Sequence, residues 1–252
     1  MKKQLILFLA LLLAFPAAVS AEPLPLTDNL SGTFAVPYDE SDPSAGSYVF
    51  SFRYPHVDPS HPDAHLVNQF YEYLARDTEV YTIPNLSDYY AGIGQSVNVT
   101  VSYEVTCNSD RFFSVRIHRV TEAEGDDPVE TWEADSFSRV DGRPGTDLTL
   151  TNLLGTLRIG ETDEWLDARQ TRKAQDAVLS LVWNLIRENP DGIPYYEDLT
   201  KEELGWILDP DQDFWLDETE NPVFFLRPGA AADPEAGLLT FPLALSVIYD
   251  EL

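Results

Sequence analysis

The sequence is poor in cysteine and in positive charge. Its 252 residues include one cysteine, Cys107, so no intramolecular disulfide can form and the fold must depend on a hydrophobic core. There are 16 Lys and Arg residues against 43 Asp and Glu residues, which gives a formal net charge of −27. Such a surface repels phosphate backbones and anionic headgroups, which argues against nucleic-acid and membrane partners and favours cationic proteins or divalent metals. High charge also keeps a protein in solution, so the acidity alone does not select a partner.

Long apolar runs are also scarce, and the one that stands out is at the N-terminus. Two lysines precede an apolar segment from Leu5 to about Ala18, and small residues follow up to Ala21. This is the pattern of a secretory signal peptide, and about 14 apolar residues are too few to span a bilayer of roughly 30 Å. We therefore expect cleavage after Ala21 and a secreted mature protein without stable membrane insertion.

Periodicity divides the first half of the chain. Residues 22–45 are rich in Pro and Ser and predict a linker or an extended lead-in. Helical spacing of apolar residues predicts a helix after Asp63. Apolar side chains occupy every second position in residues 96–108, which predicts a hairpin with residues 111–122 and a third antiparallel strand at 129–140.

The second half predicts helices followed by strands. A long helix is expected within residues 164–189, and Thr200 and Glu203 form the sequence pattern of a capping box. The stretches FWLD, VFFL and LLTFPLALSVI are interpreted as strands. This grouping predicts an α+β fold with antiparallel sheets and packed helices, in one or two small subdomains. We place an N-terminal α+β subdomain at 46–155 and a C-terminal one at 156–252.

The sequence patterns that usually indicate catalysis are missing. No Gly-x-Ser-x-Gly elbow is present, and residues 92–98 do not complete a dinucleotide-binding loop. Cys107 and His118 lie on neighbouring predicted strands, where a small buried cysteine is the ordinary interpretation. We predict no catalytic residue and no cofactor. Paired carboxylates for glycoside hydrolysis stay open, because 43 acidic residues make every spacing available.

Two acidic or histidine-containing segments could supply metal ligands. His56, His61 and His65 lie close in sequence, although Pro62 places His61 ahead of the predicted helix. Residues 209–220 contain five carboxylates at positions 1, 3, 5, 9 and 12 of an EF-hand loop, namely Asp209, Asp211, Asp213, Asp217 and Glu220. The loop needs glycine at position 6, where this chain has Phe214, so calcium binding is only a weak hypothesis.

Three aromatic residues are candidates for contact with a partner. Tyr89 and Tyr90 are predicted to lie in a glycine-rich loop, and Trp132 is in the predicted third strand. The loop with the two tyrosines either folds over the core, which is the more ordinary interpretation, or is displayed for contact.

Three segments carry a resemblance to a known family. They are SYEVT with NSDRFFSVRIHRV, DGRPGTDLTLTNLLG, and FWLDETENPVFFLRPGA, within about residues 46–252. Their order resembles the extracellular domain of unknown function of RsiV-type anti-sigma factors, which also occurs beside PdaC-type deacetylase domains. The matching residues are Gly145, Leu148, Leu150, Leu153, Leu154, Asp213, Phe214, Leu216, Val223, Phe224, Phe225, Ile248, Tyr249, Glu251 and Leu252.

The resemblance implies a partner class. RsiV-type domains bind lysozyme, a cationic enzyme, and the charge of this chain suits such a partner. Residues 123–137 depart from the family pattern, and the deacetylase motifs of the companion domain are absent. We therefore expect a secreted bacterial, non-enzymatic module that binds a cationic extracellular protein such as lysozyme, or a cell-wall component. A wall-active hydrolase with paired carboxylates and a calcium-stabilised adhesion or scaffold protein are the alternatives.

Overall fold

The computed structural model describes residues 22–140, 145, 147–154 and 164–251. The expected signal peptide, residues 1–21, lies outside these ranges, and so does most of the link between the two expected subdomains. Within the described ranges, every helix is too short or too polar to cross a membrane.

The first half of the described chain forms a five-stranded sheet covered by helices. Its elements are β1 (Ser31–Pro37), β2 (Ser47–Arg53), α1 (Ala64–Asp77), a π-helical turn (Thr78–Thr82), α2 (Ile83–Ile93), β3 (Val97–Asn108), β4 (Phe112–Ala123) and β5 (Val129–Ser138). The strand order follows the chain, from β1 to β5. All neighbouring pairs are antiparallel except β2 and β3, which are parallel. The helical run provides the long crossover connection that parallel neighbours require.

The predicted hairpin is confirmed, with Tyr103 of β3 opposite Ile117 of β4. A register shift interrupts the ladder between Val105 and Cys107.

The helical run from α1 to α2 widens at one place. Pro84 has no N–H to donate to the carbonyl four residues before it, at Val80. The preceding residues, Thr78–Thr82, form the π-helical turn that accommodates this loss. The helix therefore continues as far as Gly94, whose left-handed backbone (φ 69°) ends it.

The second half packs helices on a three-stranded antiparallel sheet. Its elements are α3 (Leu150–Leu153), α4 (Glu164–Glu188), α5 (Lys201–Ile207), β6 (Phe214–Leu216), β7 (Pro222–Leu226), β8 (Leu239–Pro242) and α6 (Leu245–Asp250). The α+β class is thus confirmed. One strand prediction was too long, because the apolar stretch from residue 238 to 248 is a strand only as far as Pro242 and then turns into α6.

The apolar side chains form two main cores. The first lies between the five-stranded sheet and α1, and it includes Tyr48, Phe50, Val67, Tyr71, Val99, Phe113, Val115 and Phe137. The second lies between α4 and the small sheet, and it also takes in Cys107 and Phe112 from the β3–β4 hairpin. The small sheet is joined to the large one where the N–H of Leu216 donates to the buried Ser114 Oγ at 2.9 Å. The division into two subdomains stays a prediction.

Candidate binding site around Trp206

Tyr89 and Tyr90 lie in α2, so the prediction of a glycine-rich loop around them was wrong, and the two side chains have different environments. Tyr90 is half-buried and its ring stacks on Tyr48, with ring centroids 6.0 Å apart. Tyr89 is exposed and meets Tyr90 edge-on at 5.1 Å. Tyr90 therefore covers the core, whereas Tyr89 is displayed to solvent.

Trp132 uses its ring inside the fold. It is half-buried on β5 and stacks on His118, with ring centroids 4.0 Å apart and an interplanar angle of 11°. The guanidinium of Arg116 lies 5.4 Å from the Trp132 centroid and 5.6 Å from that of Trp215. These contacts pin the small sheet to the large one, so a partner would reach mainly the edge of Trp132.

The acidic loop holds its first carboxylates in separate local interactions. Asp209 Oδ1 accepts a hydrogen bond from the N–H of Asp211 at 3.0 Å. Asp211 in turn accepts bonds from Thr151 Oγ1 at 3.2 Å and from Gln175 Nε2 at 2.9 Å. The side chain of Asp211 therefore fastens this loop to α3 and α4.

The last two carboxylates of the loop also bind protein groups. Asp217 Oδ1 accepts the N–H of Asn221 at 3.0 Å and so closes the turn between β6 and β7. Glu220 forms an ion pair with Arg111 and accepts a bond from Ser109 Oγ. In the described part of the chain, no group of three or more Asp, Glu, His or Cys side chains is placed to hold a metal ion.

The three neighbouring histidines also make separate local hydrogen bonds and do not converge on one point. His56 is buried, and its ring nitrogens lie 2.9 Å from Thr27 Oγ1 and 3.4 Å from a carboxylate oxygen of Glu72. The Nδ1 atom of His61 accepts the N–H of Asp63, and that of His65 lies 2.9 Å from the carbonyl oxygen of Pro62. The hydrogen bonds of His61 and His65 thus hold the segment that leads into α1, and those of His56 hold the loop before it.

Two half-buried carboxyl groups between α1 and β5 were not predicted. Asp135 Oδ2 accepts a 2.6 Å bond from Tyr71 Oη, and burial raises the pKa of this carboxyl to about 6. Asp147 Oδ1 accepts the N–H groups of Ser136 and Leu148 at 2.7 and 2.8 Å. Burial, followed by the charge of Asp135, raises the pKa of Asp147 to about 7.

Two acids of raised pKa are also what the hydrolase interpretation requires. Here, however, the hydrogen bonds of Asp135 and Asp147 join α1, β5 and the segment before α3 to one another. We therefore interpret the pair as part of the fold.

The tryptophan with the greatest exposure among the described side chains is Trp206, on the short helix α5. The buried Leu204 and Leu208 anchor this helix, and Trp206 projects to the other side with 75% of its surface exposed. The capping box predicted from the sequence is present, since Thr200 Oγ1 accepts the N–H of Glu203 and the Glu203 carboxylate accepts the N–H of Thr200. A well-defined helix thus holds an apolar ring in solvent.

Two recesses flank the Trp206 ring and share Trp206, Ile207 and Ala230. The first has a volume of about 450 Å³ and adds Asp209, Gln212, Asp213 and Arg227 to its lining. The second has a volume of about 300 Å³ and adds Tyr196, Asp198, Leu199 and Glu203. Because the recesses share one wall, they form a single surface, here named the Trp206 groove.

The groove is strongly acidic. Four carboxylates line it, those of Asp198, Glu203, Asp209 and Asp213, against one basic side chain, Arg227. Asp213 is buried at the base of the larger recess, and burial raises the pKa of its carboxyl. Its Oδ2 atom accepts the N–H of Asp209 at 2.8 Å, and its Oδ1 atom accepts a bond from Arg227 Nη2 at 3.2 Å.

Trp206 was missed by the sequence predictions, although a signal was available. It comes two positions after Leu204 and two before Leu208, so a helix that buries both leucines turns Trp206 outward. Of the five carboxylates considered as calcium ligands, Asp209 and Asp213 line the groove.

Two solved structures are similar to this chain over nearly its whole length. A DUF3298 family member from Bacteroides fragilis matches with a TM-score of 0.54 and 12% identity, covering 91% of this chain and 93% of its own. The chain has the fold of the DUF3298 family. A DUF3298 protein from Pseudomonas aeruginosa matches with a TM-score of 0.50 and 10% identity, covering 90% of this chain and 94% of its own.

The DUF3298 fold agrees with the resemblance noted above, since RsiV-like domains belong to that family. No family model and no curated protein sequence matches the chain. At these identities the structural likeness establishes the fold alone, and a relation to the RsiV type specifically stays a prediction.

Proposed function

We propose that this protein is a secreted binding module that captures a cationic protein at the Trp206 groove. The observation that carries the proposal is an indole with 75% of its surface exposed between two recesses lined by carboxylates. Tryptophan is enriched among the residues that dominate binding energy at protein interfaces. Its exposure on a rigid, capped helix leaves that energy available to a partner.

Electrostatics support the same partner class. A net charge of −27 accelerates the encounter with a cationic protein and disfavours anionic ones. At the surface itself, a cationic side chain is attracted both by the face of the indole and by the surrounding carboxylates. Lysozyme is the cationic protein that the RsiV resemblance suggests, so it is the first partner to test.

The secreted location belongs to the proposal as well. The N-terminal pattern that supports it predicts that the mature protein begins at Glu22. N-terminal sequencing of the protein recovered from the culture medium of an expressing bacterium tests this directly. A protein retained in the cytoplasm with its first 21 residues intact would contradict secretion.

The binding experiment measures lysozyme affinity for three proteins at low and high ionic strength. The wild type is compared with W206A and with Y73A, a control in α1 whose tyrosine is similarly exposed at 72%. We expect W206A to weaken binding about tenfold or more, as removal of an interface tryptophan commonly does, and Y73A to have little effect. Added salt should weaken binding because the attraction is electrostatic.

Two results would reject the proposal for this groove. One is the absence of binding by the wild type at low ionic strength. The other is equal affinity of W206A and the wild type, which would place the contact elsewhere on the molecule.

A further inference from the structure

We infer that the Trp206 groove recognises an arginine side chain of its partner at the carboxylates of Asp209 and Asp213, here named the acidic seat. Arg227 occupies this seat until the partner's arginine displaces it. The inference rests on the binding function proposed above and adds the chemistry of the recognised group. It concerns the larger recess, which Arg227 lines together with Trp206, Asp209 and Asp213.

Arg227 is held loosely in this recess. Its Nη2 atom lies 3.2 Å from Asp213 Oδ1, and its Nε atom lies 3.3 Å from the carbonyl oxygen of Trp132. Hydrogen bonds between a guanidinium and a carboxylate are usually shorter, at about 2.7–2.9 Å. The Arg227 side chain is also 54% exposed, whereas that of Asp213 is largely buried. The buried Asp213 carboxylate is thus paired with a half-exposed Arg227 guanidinium that makes only long hydrogen bonds.

The seat suits a guanidinium better than an ammonium. A guanidinium is planar, stacks on aromatic faces and presents several donors in a fork that matches carboxylate oxygens. The recess supplies the indole of Trp206 and the carboxylates of Asp209 and Asp213 on one surface. A lysine ammonium would meet the same charge without the stacking or the forked geometry.

Exchange of one arginine for another keeps the buried carboxylate paired. Removing the cation from Asp213 without replacement would leave a buried charge uncompensated, which is strongly unfavourable. When a partner arginine takes the seat, Asp213 retains a cation and the already half-exposed Arg227 moves into solvent. Arg227 therefore acts as an internal competitor that lowers affinity for cations unable to replace it.

The experiment uses short tri-arginine and tri-lysine peptides, with affinities measured by titration calorimetry at low ionic strength. The test variant is R227Q, which removes the competitor. The matched control is R187Q, which makes the same change of charge at the end of α4, where Arg187 lies over Trp183 and outside the groove lining. We expect tri-arginine to bind the wild type more tightly than tri-lysine. We expect R227Q to bind tri-arginine about two- to fivefold more tightly than R187Q does, which is the range that one exposed cation–aromatic contact supplies.

A second variant, D213N, tests the seat itself. Its side-chain oxygen can still accept the N–H of Asp209, so the loop should remain folded while the charge that holds the arginine is lost. D213N should weaken tri-arginine binding, and adding R227Q to D213N should no longer strengthen it.

Failure of this inference is distinguishable from failure of the proposed function. If lysozyme binds through Trp206 but R227Q and R187Q have equal affinity for tri-arginine, the role of Arg227 is overturned and the binding function stands. Equal binding of tri-arginine and tri-lysine overturns arginine recognition in the same way. If neither lysozyme nor the peptides bind, both are overturned.

Discussion

Replacing Asp147 with asparagine should stabilise this protein at pH 8. The Asp147 carboxyl has a pKa of about 7 in the folded state, against 3.8 for an ordinary aspartate, because burial and the charge of Asp135 disfavour its ionised form. Above pH 7 the folded protein must therefore keep a charge in a place that opposes it. Asparagine is uncharged, and its oxygen can still accept the N–H groups of Ser136 and Leu148.

The sign and the size follow from proton linkage. Since the folded pKa is the higher one, the protonated carboxyl favours folding below about pH 4, and this stability is lost as the pH rises through 7. A difference of about 3 pKa units corresponds to at most about 4 kcal/mol at 1.36 kcal/mol per unit. Asp147 is only half-buried by surface area, so water reduces this figure, and we expect a gain of about 1–2 kcal/mol at pH 8.

The assay is urea unfolding of the wild type and D147N at pH 5 and pH 8. The gain at pH 5 should be less than half of the gain at pH 8, because Asp147 is largely protonated in the folded protein at the lower pH. D88N, a change of the same charge on the exposed side of α2, is the control for general charge repulsion. A D147N gain that is the same at both pH values, or that D88N reproduces, would refute the reasoning.

Two further predictions concern buried polar groups. The Arg139 side chain is 2% exposed and donates to Asp63 at 2.8 Å and to the carbonyl oxygen of Ser109, so R139A should lower the free energy of unfolding by about 1.5–3 kcal/mol in urea titrations. A loss below 1 kcal/mol would show that the ion pair is dispensable. Tyr48 is fully buried, and among the described residues no group bonds its hydroxyl, so Y48F should raise the unfolding free energy by up to about 1 kcal/mol. A lower melting temperature for Y48F would show that the hydroxyl has a partner after all.

Features that depend on residues close together in the chain were predicted well. Alternation over residues 96–108 identified β3, and a short turn before residues 111–122 identified its hairpin partner β4, because side chains that alternate between the two faces of a strand leave a local pattern. The capping box of α5 was visible because its two partners, Thr200 and Glu203, are three residues apart.

Features that depend on distant segments were predicted less well. The stretch after Pro242 was wrongly assigned to a strand, because a short apolar run suits a strand and a buried helix equally. The parallel pairing of β2 with β3 could not be read from either strand alone, since it depends on the path of the helical run between them.

The candidate site shows the same division. The sequence by itself determined the acidic charge, the single cysteine, most strands and the capping box of α5, because these depend on composition or on neighbours a few residues apart. Only the tertiary structure decided which carboxyl groups are buried, which tryptophan is displayed and which arginine lies against Asp213. Side chains become buried when segments far apart in the chain pack together. Residues of the same type therefore lie in the core, join two elements or remain on a binding surface according to that packing.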